Sequence, residues 1–186
     1  AWDSVKGDPD VTVAVVDTGI LSQHPDLAGQ WVAGYDFVRD IAQSGDGDGI
    51  DPNPEDPGNL QTPGPSSYHG THVAGIILAE KNDKNDMSGI AENVKLMSVR
   101  CVPNGDEYDK DVALGFKYAV DNGAKVINTS FGKGYSPNVE WVYEAIRYAE
   151  KHDVLIVNAA GNNAQNIDEM GVFPNDAPDL SNEISD

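Results

Sequence analysis

Asp17 closes the run VVDTGI, His69 opens YHGTHVAGIILAEK, and Asn162 stands in NAAGNN. Acyl transfer uses these group types: a carboxylate to orient a base, an imidazole to carry a proton, and a carboxamide to donate to an oxyanion. Each has a plainer use as well. Asp17 suits a helix or turn cap, and Asn162 a left-handed turn, with Gly161 letting the backbone come close. His69 precedes a helical pattern, where the positive end of the dipole disfavours imidazolium and keeps the ring neutral near pH 7. His72 lies three residues on. H-x-x-H lacks the i, i+4 spacing and the glutamate of a zinc-protease helix, so His72 reads as a buried, hydrogen-bonded ring beneath the site.

The elements that must position these groups are legible. Residues 11–17, 94–99, 125–129 and 154–159 are short β-branched, apolar runs, the pattern of strands buried on both faces and hence parallel. Helical periodicity covers residues 109–122, stopped by Asn122-Gly123, and residues 137–152, with Ser136 as N-cap and Pro137 as first residue. Strands alternating with helices predict an α/β fold, a parallel sheet flanked by helices, with its chemistry beyond the carboxyl ends of the strands. Two stretches break the pattern. Residues 44–66 read as a long acidic Gly/Pro/Asp surface loop, and residues 163–186 as a polar, loop-like tail after which the next element is expected to be missing.

The 186 residues suit one domain with one core. With 12 basic and 31 acidic residues, the formal charge is −19, which repels phosphate backbones and excludes nucleic acid as a partner. No run of 18 apolar residues is present, so no membrane partner is expected. The opening AWDSVKGDPD has neither the basic start nor the apolar stretch of a signal peptide. The expectation is a secreted protein seen without its leader, with a cytoplasmic one as the other reading. Cys101 is the single cysteine, so no intrachain disulfide forms.

VVDTGI, HGTHVAG, INTSFG and AAGN, in this order and each beside an expected strand end or helix start, resemble the subtilisin-like serine proteases, the subtilases. The resemblance runs from Val11 to Asn162. It implies a subtilisin-like three-layer fold, truncated before its C-terminal elements, and an extracellular endopeptidase acting through an acyl-enzyme. Asp17 would be the triad acid, His69 the general base and Asn162 the oxyanion-hole side chain. Ser130, Phe131 and Gly132 would line the substrate groove, with Phe131 where the family usually has leucine, and Asn104 and Gly105 would form the opposite rim. A polypeptide substrate would add there as a strand.

The family's nucleophile lies in a GTSMA-type segment that this sequence lacks; Ser66, Ser67, Ser181 and Ser185 have no such context. The chain alone is therefore expected to be inactive, with the serine supplied by a further C-terminal segment or a second chain. Self-association is expected from the exposed edge of a cut sheet. The alternative is a non-catalytic pseudoprotease or peptide/calcium-binding module on the same scaffold.

Calcium is the expected structural cofactor. The resemblance places one ion at Asp26, in HPDL, with Asp83 and the carbonyls of Lys81, Asn85 and Met87. A second candidate is read from the insertion itself: Asp46, Asp48, Asp51, Asn53 and Asp56, hard oxygen donors in a sequence that lacks the full EF-hand pattern. A solvated acidic loop is the other reading of that stretch.

Overall fold

A computed structural model describes residues 6–59, 67–81, 87–91, 93–164, 166–167 and 172–175. The apolar run after Val11 forms β1 (Thr12–Asp17), the centre of a five-stranded sheet. Chain order is then β2 (Trp31–Asp36), α1 (Ile41–Ser44), α2 (His69–Leu78), β3 (Lys95–Arg100), α3 (Asp109–Asp121), β4 (Val126–Thr129), α4 (Val139–Lys151) and β5 (Leu155–Asn158). The spatial order is β2-β3-β1-β4-β5, every pair parallel. Register sets Asp17 beside Arg100, Val16 beside Thr129, and Thr129 beside Asn158, so the carboxyl ends of four strands share one rim.

Successive β1 residues point to opposite faces, so the sheet has two cores rather than the single one expected. Ala14 and Val16 join Val99, Phe116, Ile127 and Ala149 beneath α3 and α4. Val13 and Val15 join Ile20, Ala74, Leu78 and Leu96 beneath α2. The four expected strands form within a residue or two of the sequence reading. β2 was not anticipated, because WVAGYD mixes small and bulky residues and is only part-buried along most of its length. Gly34 is indispensable there: a Cβ would stand 2.1 Å from the Ser98 carbonyl oxygen.

α3 ends as expected, with Asn122 as C-cap and Gly123 at φ +85°. α4 starts later than expected. Ser136 does not cap it; its hydroxyl donates to Asp109 Oδ1 at 2.7 Å, and the Asn138 N–H donates to Asp109 Oδ2 at 2.8 Å. The acidic insertion, over its described residues, is no free loop. Asp36 and Asp51 exchange backbone bonds of 2.8 and 3.1 Å, the Ile20 N–H reaches the Pro54 carbonyl at 3.2 Å, and Ser44 and Asp56 are buried. The cause is Arg100, a buried guanidinium at the end of β3 that draws in Asp36, Asp46 and the Ser44 carbonyl. A buried charge of this kind must find partners, and the insertion supplies them.

Candidate active site

β1 ends on Asp17 and α2 begins on His69, and the fold brings these two side chains into contact across 52 residues of sequence. His69 Nδ1 lies 2.8 Å from Asp17 Oδ1. Asp17 is 1% exposed, whereas the His69 side chain is 44% exposed. An ionised carboxylate only accepts, so Nδ1 carries the proton and Nε2 keeps its lone pair for the chemistry. The Thr18 N–H donates to the same Asp17 oxygen at 2.7 Å.

Gly70 makes this approach possible. A Cβ there would stand 2.3 Å from the Gly19 carbonyl oxygen and 3.1 Å from Asp17 Cβ, so only glycine lets the first turn of α2 settle onto β1. The hydrogen bond that His69 donates to Asp17 raises the His69 pKa above its ordinary value; burial opposes this, and the charges of Asp17 and Asp56 reinforce it. This reverses the expectation drawn from the helix dipole, because a carboxylate in hydrogen-bond contact outweighs the partial charge of a helix end. His72 is also corrected: it is exposed, since the buried side of α2 carries Gly70, Thr71, Ala74, Gly75 and Leu78.

Asn162 and Gly161 follow β5 in an exposed stretch, with Gly161 at φ +86°. The bond from the Ala159 N–H to the Thr129 carbonyl, 3.0 Å, keeps this stretch at the rim that carries Asp17. Among the described residues no side-chain bond joins Asn162 to His69. Ser130 accepts from the Asn128 carboxamide at 2.9 Å, Phe131 packs against the α3–α4 core, and Gly132 faces Val172 and Phe173. Asn104 and Gly105, expected to form the opposite rim, rest on α1: the Asn104 N–H donates to the Gln43 carbonyl at 3.0 Å, and Gly105 sits at φ +151° against the Gln43 side chain.

The calcium candidates divide. Asp26 is buried in a tight turn (Pro25–Leu27), and its carbonyl accepts the Glu80 N–H at 2.8 Å, which sets the turn against the segment leading to Lys81. Met87 packs its side chain toward Gly75, and Asp83 and Asn85 lie outside the described residues. In the insertion, Asp46 is engaged by Arg100. Burial works against the Asp46 carboxylate, yet bonds from Ser44 and Arg100 hold it below its ordinary range. Desolvation and the facing carboxylates Asp51 and Asp46 push the Asp48 carboxyl up. Asp56 stands apart from this group, beside Thr18. Among the described residues, no three acidic, His or Cys side chains converge as a ready metal cage.

Sequence reasoning did not single out Thr18 and Arg100, and it misplaced Asp56. A lone arginine closing the apolar run KLMSVR was the available signal for Arg100, since a charge there is buried by its strand.

A parallel α/β sheet whose shared strand rim holds a buried carboxylate and a half-exposed imidazole in contact has the geometry of a proton-transfer pair. The Subtilase family model matches residues 8–183, and the chain belongs to that family. It is 38% identical over 164 residues to a thermophilic serine proteinase of Bacillus sp. strain AK1, covering 88% of this chain and 36% of that one. It is 36% identical over 186 residues to an extracellular protease of Xanthomonas campestris pv. campestris, covering 90% and 32% of the two chains. Among solved structures, a protease from Pseudoalteromonas arctica superposes with a TM-score of 0.85 at 32% identity, over 93% of this chain and 55% of that one. The chain thus spans about a third of the length of these two curated relatives.

Proposed function

We propose that the chain is the acid–base part of a secreted serine endopeptidase, with Asp17 orienting His69, His69 as general base and then acid, and Asn162 as oxyanion donor. The observation that carries this is the 2.8 Å contact between His69 Nδ1 and Asp17 Oδ1, with the ring still half open to solvent. On this reading the serine Oγ is supplied by a further segment or a second chain, because no serine of this sequence stands in a GTSMA-type context. The exposed apolar residues Leu155 and Val157 on β5, at 62% and 45% exposure, support a further strand, segment or second copy of the chain covering that edge. The polypeptide substrate adds as a strand between residues 130–132 and 104–105. Secretion is supported by the extracellular relative.

The test is peptide hydrolysis with and without a companion segment carrying the serine. The chain alone gives no turnover above background, and the pair gives turnover that a serine acylator abolishes. Because His69 must be neutral to accept a proton, and Asp17 raises its pKa, the acid limb of kcat/KM lies above the ordinary histidine value of 6.5. A reconstituted enzyme whose acid limb falls well below that value, or turnover by the chain alone, refutes the assignment.

Calcium is proposed at Asp26 with the Lys81–Met87 segment, and at the Asp48–Asp51 side of the insertion, as a structural cross-link between segments distant in sequence. Saturating calcium raises the thermal midpoint of the chain by several degrees over excess chelator, and Asp26→Ala removes most of that gain. Coincident melting curves with calcium and with chelator dispose of both sites.

A further inference from the structure

Asp56 belongs to the acidic insertion but is 6% exposed and faces the active-site corner. Its Oδ2 accepts the Thr18 hydroxyl at 2.7 Å, and its Oδ1 accepts the Gly58 N–H at 2.8 Å. With its hydrogen committed to Asp56, the Thr18 oxygen turns a lone pair to the Gly70 N–H at 3.1 Å, in the residue that follows His69. The Thr18 N–H meanwhile donates to Asp17 Oδ1, the atom that holds His69. One buried carboxylate therefore stands behind both halves of the proton-transfer pair.

The charged groups around it are Asp17 from β1 and Arg100 from β3, whose Nε bonds the Thr18 carbonyl at 3.1 Å. His72, on α2 with His69, is exposed. Burial raises the Asp56 pKa, the Thr18 and Gly58 bonds and Arg100 oppose this, and Asp17 adds to it.

We propose that Asp56 is a positioning residue for His69: through the Thr18 hydroxyl it sets the first turn of α2, and through its charge it favours the imidazolium formed when His69 takes up a proton. This rests on the reading of Asp17 and His69 as the acid–base pair, but its test needs no nucleophile.

The experiment is an NMR titration of the His69 ring in the full chain, comparing the native protein with Asp56→Asn, Asp56→Ala and, as a charge control, Glu144→Gln at an exposed position of α4. Asp56→Asn keeps an acceptor for Thr18 and removes the charge, so the midpoint falls by about half a unit while the Asp17-bonded Nδ1 proton signal persists. Asp56→Ala lowers the midpoint at least as far and speeds exchange of that Nδ1 proton several-fold, because the hydroxyl that anchors Gly70 is released. Glu144→Gln moves the midpoint by no more than about 0.1 unit. Unchanged midpoints in both Asp56 variants, or equal shifts from Glu144→Gln, overturn the proposal. An Asp56→Asn chain that fails to fold also overturns it, assigning Asp56 to the fold instead. A shifted midpoint with no turnover after reconstitution leaves this inference standing and removes the endopeptidase reading.

Discussion

Asp17→Asn lowers kcat of the reconstituted protease by about 10⁴-fold, with KM nearly unchanged. The reason is the tautomer. Asp17 Oδ1 receives the Nδ1 proton at 2.8 Å, and that bond leaves Nε2 free to take a proton from the nucleophile. An asparagine at this position presents an N–H to the ring, which moves the imidazole proton to Nε2 and blocks the base. The buried setting magnifies the loss, since Asp17 is 1% exposed and no water substitutes cheaply for its charge. The same change is visible without turnover: losing the largest cause of the upward His69 shift brings its titration midpoint down. The paired measurement is single-turnover kinetics on the reconstituted enzyme and ring titration on the chain. A kcat loss of less than about tenfold would exclude Asp17 from the proton-transfer pair.

Arg100→Met destabilises the chain by about 3–5 kcal/mol near neutral pH, because it strips a buried carboxylate of its counter-charge. Arg100 is 2% exposed and Asp36 is fully buried beside it. Burial pushes the Asp36 pKa up to about 7, with the Val38 N–H and Arg100 pulling the other way. Without Arg100 the folded-state pKa climbs further, while the unfolded chain still titrates near 3.8. Between those two values the folded state holds a proton that the unfolded state has lost, so the stability of the variant falls as pH rises across that window. Urea denaturation at pH 5 and pH 8 reads this as a larger deficit at the higher pH. The Arg100→Met/Asp36→Leu pair recovers much of the loss, as an apolar pair replaces an unpaired charge. A single-variant deficit below about 1 kcal/mol at both pH values would show that Arg100 is not the post that holds the insertion.

Arg100 also explains why the insertion differs from what its composition suggests. Gly, Pro and Asp in residues 44–66 read as solvated loop, and composition carries no record of a guanidinium arriving from β3. Asp46 reads from the sequence as a candidate calcium donor, whereas the guanidinium of Arg100 engages it. Asp56 was grouped with the same donors, and the structure turns it toward Thr18 instead. His72 reads from the sequence as a buried ring because its spacing does not suit a metal pair, but only the packing of α2 on β1 decides which stripe is covered.

What the amino-acid order determined by itself was local: apolar runs that make strands, caps and glycines that end helices, and the short motifs around Asp17, His69 and Asn162 that mark the family. These depend on residues a few positions apart, where periodicity and backbone sterics act directly. The tertiary structure alone decided which carboxylates meet a positive charge, which meet a hydroxyl, and which face water. Those choices depend on desolvation and hydrogen-bond geometry between residues distant in sequence, 82 positions for Arg100 and the Thr18 carbonyl, and no local pattern encodes them.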